Sequence, residues 1–259
     1  LILSIITINY NNAPGLEKTI ESVLCQTFSN YEWIVIDGGS IDGSVDILRK
    51  YSSCFAYWTS EPDKGIYHAQ NKGILKAKGD YCFFLNSGDY LAEKDVLERI
   101  FKSDPIEDIL FGNLYVTIRG IMTGKAYGKE KLTFSDVYSH TIKHQASFLR
   151  RSLFERFGLF NETRKVISDW EFMIKTVGLG NATYRYIDVF ICYFDNDGIS
   201  NHSPEIVSLE RYVAVNQNIP AMMQPDYEFL LRYRRYEKVF RNRFSFFLIR
   251  LLNKILPGG

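Results

Sequence analysis

Closely spaced cysteines are missing from this 259-residue chain. Its four, Cys25, Cys54, Cys82 and Cys192, stand singly with no C-x-x-C pair, which argues against a zinc knuckle or a disulfide framework and leads us to expect reduced thiols. No run approaches the roughly 20 apolar residues of a membrane-spanning helix, and no basic leader stands before the first strand, so a cytoplasmic chain is expected. An excess of one charge is lacking too, since the formal net charge is +1. That balance hides an asymmetry: Glu228 to Leu256 holds eight Lys/Arg against two Glu, +6, which leaves −5 for the remainder. A mildly acidic body speaks against a nucleic-acid partner. Internal repeats and low-complexity tracts are absent as well. What remains, 46% apolar and 24% charged positions, is the profile of a globular domain with an extension.

Along the first hundred residues strand and helix patterns alternate. Leu3 to Asn9 (LSIITIN) is β-branched and apolar and gives way to Tyr10-Asn11-Asn12 and Pro14; helical spacing follows at Leu16, Ile20, Val23 and Leu24. The unit repeats with strand Glu32 to Asp37, turn Gly38-Gly39-Ser40 and a helix face at Val45, Ile47, Leu48 and Tyr51. A third strand is expected at Phe55 to Thr59, a helix at Ile66 to Ala77 and a fourth strand at Tyr81 to Leu85. Such alternation predicts a doubly wound, mainly parallel α/β sheet with helices on both faces and ligands outside the carboxyl ends of its strands. After a helix at Glu93 to Phe101 the pattern turns strand-rich, so the architecture is expected to change near residue 105. Extended segments are expected at Ile109 to Gly112, Leu114 to Arg119, Ile121 to Tyr127, Ala146 to Leu149, Ala182 to Asp188 and Val189 to Phe194. Helices are expected at Ser152 to Phe157 and Asp169 to Val177, and throughout from Pro204 onward.

Three polar clusters close these elements. Asp37 ends the second strand before two glycines, where a carboxylate either accepts from a base or ribose or holds an Asx-turn. The G-x-G-x-x-G fingerprint of a dinucleotide-binding oxidoreductase does not follow strand one. Asn86-Ser87-Gly88-Asp89 follows the fourth strand; it reads either as a turn or as the place where Asp89 meets a divalent cation that bridges a diphosphate. Ser168-Asp169-Trp170-Glu171 opens a helix, with Ser168 and Glu171 spaced as a capping box. There Asp169 is kept ionised by the helix dipole, as a general base must be.

In this order the clusters resemble inverting glycosyltransferases of family 2, which have the GT-A fold. The shared signature runs through S-I-I-T-I-N-Y-N, the helix end S-V-L-C-Q-T-F and W-I-V-I-D-G-G-S-I-D-G-S. It continues in E-P-D-K-G-I, A-Q-N-K-G-I-L-K-A-K-G-D-Y, F-L-N-S-G-D and S-D-W-E-F, covering about residues 3 to 200. The resemblance implies a nucleotide-sugar donor, with UDP the expected nucleotide. It implies that Thr7 and Tyr10 line the base pocket, that Asp37 holds the base, and that Asp63 and Lys64 sit near the base or diphosphate. Asn71 is implied near the donor, and Asn86 at the ribose. Asp169 is implied as the base that deprotonates an acceptor hydroxyl with inversion at the anomeric carbon, and Trp170 either packs or lines the acceptor site. The family's metal motif is usually D-x-D; here Asn86-Ser87-Gly88 precedes Asp89, so a Mn or Mg site rests on Asp89, with His202 as the second candidate ligand. His144-Gln145 either lines the acceptor cleft or forms a buried hydrogen bond. A rival reading is a catalytically impaired nucleotide-sugar-binding or scaffold protein of the same fold.

The expected organisation is a catalytic domain over 1–203, divided into a nucleotide half, 1–105, and an acceptor half, 106–203, then a helical extension over 204–259. In that extension Phe244 to Leu256 places apolar residues at 244, 247, 248, 251, 252 and 255, with Arg243, Arg250 and Lys254 on another side. Such a basic amphipathic helix suits packing on the catalytic domain, a homodimer contact or a peripheral position on the inner face of a membrane. The acceptor implied is a saccharide or lipid-linked saccharide of cell-surface polysaccharide synthesis.

Overall fold

A computed structural model of the chain describes residues 1–140, 142–197, 203–226 and 229. His202 and the segment from 243 onward lie outside the described residues. The elements are β1 (Leu3–Asn9), α1 (Ala13–Leu24), β2 (Tyr31–Asp37), α2 (Ser44–Lys50), β3 (Tyr57–Ser60), α3 (Ile66–Lys76), β4 (Tyr81–Phe84), β5 (Tyr90–Leu91), α4 (Val96–Phe101), β6 (Ile109–Ile118) and β7 (Ile121–Ala126). They continue as α5 (Phe134–His140), β8 (Ser147–Arg150), α6 (Ser152–Phe157), α7 (Ser168–Met173), β9 (Tyr184–Asp195) and α8 (Pro204–Asn218).

One sheet carries the fold, in the order β3-β2-β1-β4-β8-β6-β9-β5, with β7 on β6. Strands β3, β2, β1 and β4 pair in parallel. Beyond β4 the sheet becomes mixed: β8 runs antiparallel to both β4 and β6, β9 is parallel to β6, and β5 is antiparallel to β9. The change in pattern near residue 105 is thus a change of strand direction within a continuous sheet. The two extended segments expected over 182–194 form one strand, β9, whose register against β6 shifts around Asn113. Chain contacts divide the protein into two compact units, Leu1–Arg211 and Tyr212–Gly259. Among the described residues no helix is long and apolar enough to cross a membrane.

Alternation along the strands decides which helix covers which face. On one face Leu3, Ile5, Trp33, Val35 and Phe83 pack with Leu16, Ile20 and Val23 of α1, Leu48 of α2 and Leu97 and Ile100 of α4. Phe83 stacks on Phe148 at 4.6 Å, and Phe101 meets Phe148 edge-on at 5.3 Å. Phe84, one residue on, points to the opposite face, where it meets Phe160 at 5.4 Å and Phe154 at 6.2 Å; Phe172 of α7 stacks on Phe154 at 4.8 Å. Each fully buried phenylalanine contributes about 2–3 kcal/mol of apolar burial. Gly73 lets α3 lie directly on Ile6 of β1, where any side chain would collide.

Helix starts follow from local chemistry. Asn12 caps α1 by accepting from Gly15 N at 3.1 Å, with Pro14 in the first turn, where its missing N–H costs nothing. The short helix α5 was not apparent from periodicity, yet it opens with a reciprocal Thr133/Asp136 cap: Asp136 accepts from Thr133 N at 3.0 Å, and Thr133 Oγ1 accepts from Asp136 N at 3.2 Å. The capping box expected at Ser168 and Glu171 does not form. Ser168 Oγ accepts from Asn161 N at 2.5 Å, and Glu171 pairs with Arg164 at 2.9 Å, because both side chains face the 160–164 loop rather than the helix end.

Candidate active site

The carboxyl ends of β1 and β2 form the first wall. Asp37 is fully buried, and five donors converge on it: Asn9 Nδ2 and Ser40 Oγ, each at 2.6 Å, on Oδ1, and Ser60 Oγ at 2.6 Å, Ser40 N at 2.8 Å and Gly39 N at 3.1 Å on Oδ2. Burial pushes its pKa up, but these hydrogen bonds outweigh burial and leave the carboxyl below its ordinary value. Of the two roles open to it, the geometry displays the turn: Asp37 ties the Gly38–Ser40 loop to β1 and β3. Above that loop Tyr10 is 68% exposed, free to offer a ring face. A Cβ at Gly38 would lie 2.7 Å from Asp63 Oδ2 and 3.1 Å from the Tyr10 ring, so Asp63 and Tyr10 meet over the one residue that leaves them room. Asp63 Oδ1 accepts from Gly65 N at 2.7 Å, and Lys64 beside it is exposed.

Three expected contacts are placed elsewhere. Thr7 is fully buried and accepts from Trp33 Nε1 at 3.0 Å; period-two alternation sends it into the core face with Leu3 and Ile5, not into a pocket. Asn71 is buried and staples α3 to the 160–162 loop, donating to Phe160 O and Glu162 Oε1 at 2.9 Å each and accepting from Phe160 N at 3.0 Å. Trp170 is also buried, donating to Tyr138 O at 2.7 Å, edge-on to the Tyr138 ring at 5.3 Å and beneath the Arg211 guanidinium at 4.9 Å. It packs α7 onto α5.

The second wall follows β4. Asn86 is half-buried, and its Oδ1 has no hydrogen-bond partner among the described residues. Asp89, 3% exposed, takes Asp195 N at 2.9 Å on Oδ1, while no hydrogen bond among the described residues reaches Oδ2. Burial raises its carboxyl to about 7, against the lowering pull of the Asp195 N–H and of His144. No group of three or more His, Cys, Asp or Glu side chains is gathered for a metal among the described residues. One free carboxylate oxygen suits a hard cation whose other ligands come from a diphosphate and water.

Asp169 forms the third wall, in the first turn of α7. His144 Nδ1 lies 2.6 Å from its Oδ2, and Tyr67 Oη of α3 lies 2.9 Å from its Oδ1 and 2.6 Å from Val166 O. The single phenolic hydrogen is therefore shared by two acceptors. Burial raises the Asp169 pKa, but the charge and hydrogen bond of His144, with the Tyr67 hydroxyl, bring it below the ordinary value, so the group is an anion at neutral pH. The same environment pushes the Tyr67 phenol well above its usual range. The charge of His144 lowers the pKa of both Asp169, which it contacts, and Asp89. Neither Tyr67 nor the pairing of His144 with Asp169 was evident from the sequence; a first-turn tyrosine and a lone histidine before a strand carry no local signal of a long-range partner.

A parallel nucleotide-type sheet continued by a mixed half, with polar groups along the carboxyl ends of β1, β2 and β4, is the GT-A arrangement. The chain belongs to glycosyl transferase family 2, whose sequence pattern matches residues 4–157. It is 32% identical over 219 residues to an uncharacterized glycosyltransferase of Mycobacterium tuberculosis, covering 77% of each chain. It is 30% identical to a PGL/p-HBAD biosynthesis glycosyltransferase of Mycobacterium bovis, over 77% of this chain and 79% of that one. Among solved structures, S. aureus TarS 1-349 in complex with UDP superposes with a TM-score of 0.64 at 20% identity, covering 88% of this chain and 78% of that one. The mannosyltransferase PcManGT of Pyrobaculum calidifontis, in complex with GDP-Man and Mn2+, gives 0.62 at 17% identity, covering 94% and 71%.

Proposed function

We propose that this glycosyltransferase moves a sugar from a UDP-sugar to an acceptor hydroxyl with inversion at the anomeric carbon. The acceptor is a saccharide or lipid-linked saccharide of the cell surface. The observation that carries the reading is the Asp169 carboxylate held by His144 Nδ1 at 2.6 Å and Tyr67 Oη at 2.9 Å, in a chain of this family. The base stacks on Tyr10 and is held by Asp63, while Asp37 acts one step back by holding the loop beneath them. Lys64 is exposed beside the donor, and Asn86 Oδ1 accepts from a ribose hydroxyl. Asp169 takes the acceptor proton as the acceptor oxygen bonds to the anomeric carbon and the bond to the diphosphate breaks on the opposite face. Asp89 offers one oxygen to a divalent cation, which when bound neutralises charge on the leaving diphosphate. The TarS complex with UDP and the PcManGT complex with GDP-Man support a nucleotide-sugar donor, and the M. bovis relative's name supports a biosynthetic role.

Release of nucleoside diphosphate tests this. With UDP-glucose, UDP-N-acetylglucosamine and GDP-mannose as donors, Asp169→Asn is expected to lower turnover roughly 10²- to 10⁴-fold while donor binding, read by thermal shift, is kept. An unchanged rate would remove Asp169 as the base. Wild-type binding without any turnover would favour the scaffold reading.

A further inference from the structure

A carboxylate base works through one lone pair, and its terminal torsion is soft, so something must fix the plane of the Asp169 carboxyl. Two donors from different elements do this. Tyr67 reaches Oδ1 from the first turn of α3, and His144, at the start of the short turn His144–Ala146 before β8, reaches Oδ2 at 2.6 Å. The His144 contact is the shorter of the two, and only His144 gives its hydrogen undivided, because the Tyr67 hydrogen is shared with Val166 O. Both the imidazole and the carboxylate are 14% exposed, so the pair sits at the wall of the site and not in the deep core. No hydrogen bond among the described residues reaches His144 Nε2. A carboxylate has about four acceptor positions; His144, Tyr67 and the Trp170 backbone N–H take three and leave one for an acceptor hydroxyl. The charged and titratable groups acting on this pair are Tyr67 from α3, Asp89 from the loop after β4 and Arg211 from α8.

We propose that His144 is a positioning residue for the transfer: its Nδ1–H holds the Asp169 carboxylate in the orientation that meets the acceptor hydroxyl. This rests on Asp169 being the base. The bookkeeping of protons is simple. The acceptor proton passes to Asp169 as the new glycosidic bond forms and the bond to the diphosphate breaks, and His144 keeps its own proton throughout. Its contribution is to aim, which is worth a factor of about 10² when a reacting group is misplaced by an ångström.

The test is steady-state release of nucleoside diphosphate from whichever of the three named donors the full chain turns over, with water as acceptor. His144→Ala is expected to lower kcat roughly 10- to 100-fold with donor KM within about twofold. His144→Asn can present an amide N–H near the Nδ1 position and is expected to recover most of that loss. His144→Gln, whose amide falls nearer Nε2, is not. In an Asp169→Asn background His144→Ala is expected to add little further loss. Full activity in His144→Ala overturns the proposal, as does an Asn variant no better than Ala or Gln, or losses that multiply in the double variant. Should His144→Ala not fold, the contrast between Asn and Gln decides alone. The base assignment fails separately, through an active Asp169→Asn.

Discussion

Asp37, fully buried, and Asp169, half-buried, are both carboxylates at the mouth of the sheet, yet the regions around them are built on opposite plans. Around Asp37, two serines, an asparagine and two backbone amides lie within a few residues of three adjacent strand ends, and they fill its acceptor positions. Around Asp89 and Asp169 the hydrogen bonding is incomplete: Asp89 Oδ2 carries no hydrogen bond among the described residues, Asn86 Oδ1 has no partner among them, and Asp169 keeps one acceptor position free. A saturated carboxylate stabilises the fold and its loop; an unsaturated one is held in reserve for a ligand. Asp37 and Asp89, buried alike, therefore respond to mutation in opposite ways.

The largest stability effect is expected at Asp37. Asp37→Ala leaves up to five donors in a closed space, and a loss of about 4 kcal/mol or more is expected in urea unfolding. The pH dependence carries the sign of a depressed carboxyl. The stabilisation is complete above the unfolded value of about 3.9 and disappears as pH falls through the lower folded value. The gap between wild type and variant should thus be constant from pH 5 to 8 and narrow below about 4; a gap that instead closed toward pH 8 would break the comparison.

Asp89 should behave in the reverse sense. With its folded pKa raised to about 7, the native state keeps a proton that the unfolded chain loses above about 4, so stability falls as pH rises between these values and is flat beyond. In metal-free buffer with EDTA, Asp89→Asn is expected to match wild type at pH 4 and to exceed it by about 4 kcal/mol at pH 8. Equal stabilities at both pH values would place Asp89 with Asp37 as a structural anion.

How much of this was legible in the chain depends on how local its cause is. Strands β1, β2 and β4 are continuous apolar runs with turn residues behind them, and α1 carries its own cap, so the parallel half could be read directly. Strand β5 is two residues long and exists because Tyr90 and Leu91 pair with Tyr193 and Cys192, a partner set no window contains. The two S/T-x-x-acid spacings at Thr133 and Ser168 look alike in sequence; only the first caps, because Arg164 and Asn161 draw Glu171 and Ser168 away. Candidate residues divide in the same way. Tyr10 and Asp63 flank Gly38, and Asp169 meets His144, whereas Thr7, Asn71 and Trp170 turn inward through strand phase or through loops that pack over them.

Gln70 sharpens the contrast by belonging to neither plan. It is fully buried on α3, and neither Nε2 nor Oε1 has a hydrogen-bond partner among the described residues. A saturated network would satisfy that amide, and a ligand-facing residue would be partly open, as Asn86 is. With both atoms enclosed, Gln70 costs the fold the desolvation of a donor pair and an acceptor without return. Methionine fills a similar volume with an unbranched, adaptable chain and has no strong polar group to satisfy. Gln70→Met is therefore expected to stabilise by about 1–2 kcal/mol, a rise in Tm of roughly 2–6 °C for a chain of this size, with nucleotide-sugar turnover unchanged. A fall in Tm would mean that the amide is satisfied in the native state, and a loss of turnover with Tm kept would move Gln70 into the site beside Asn86.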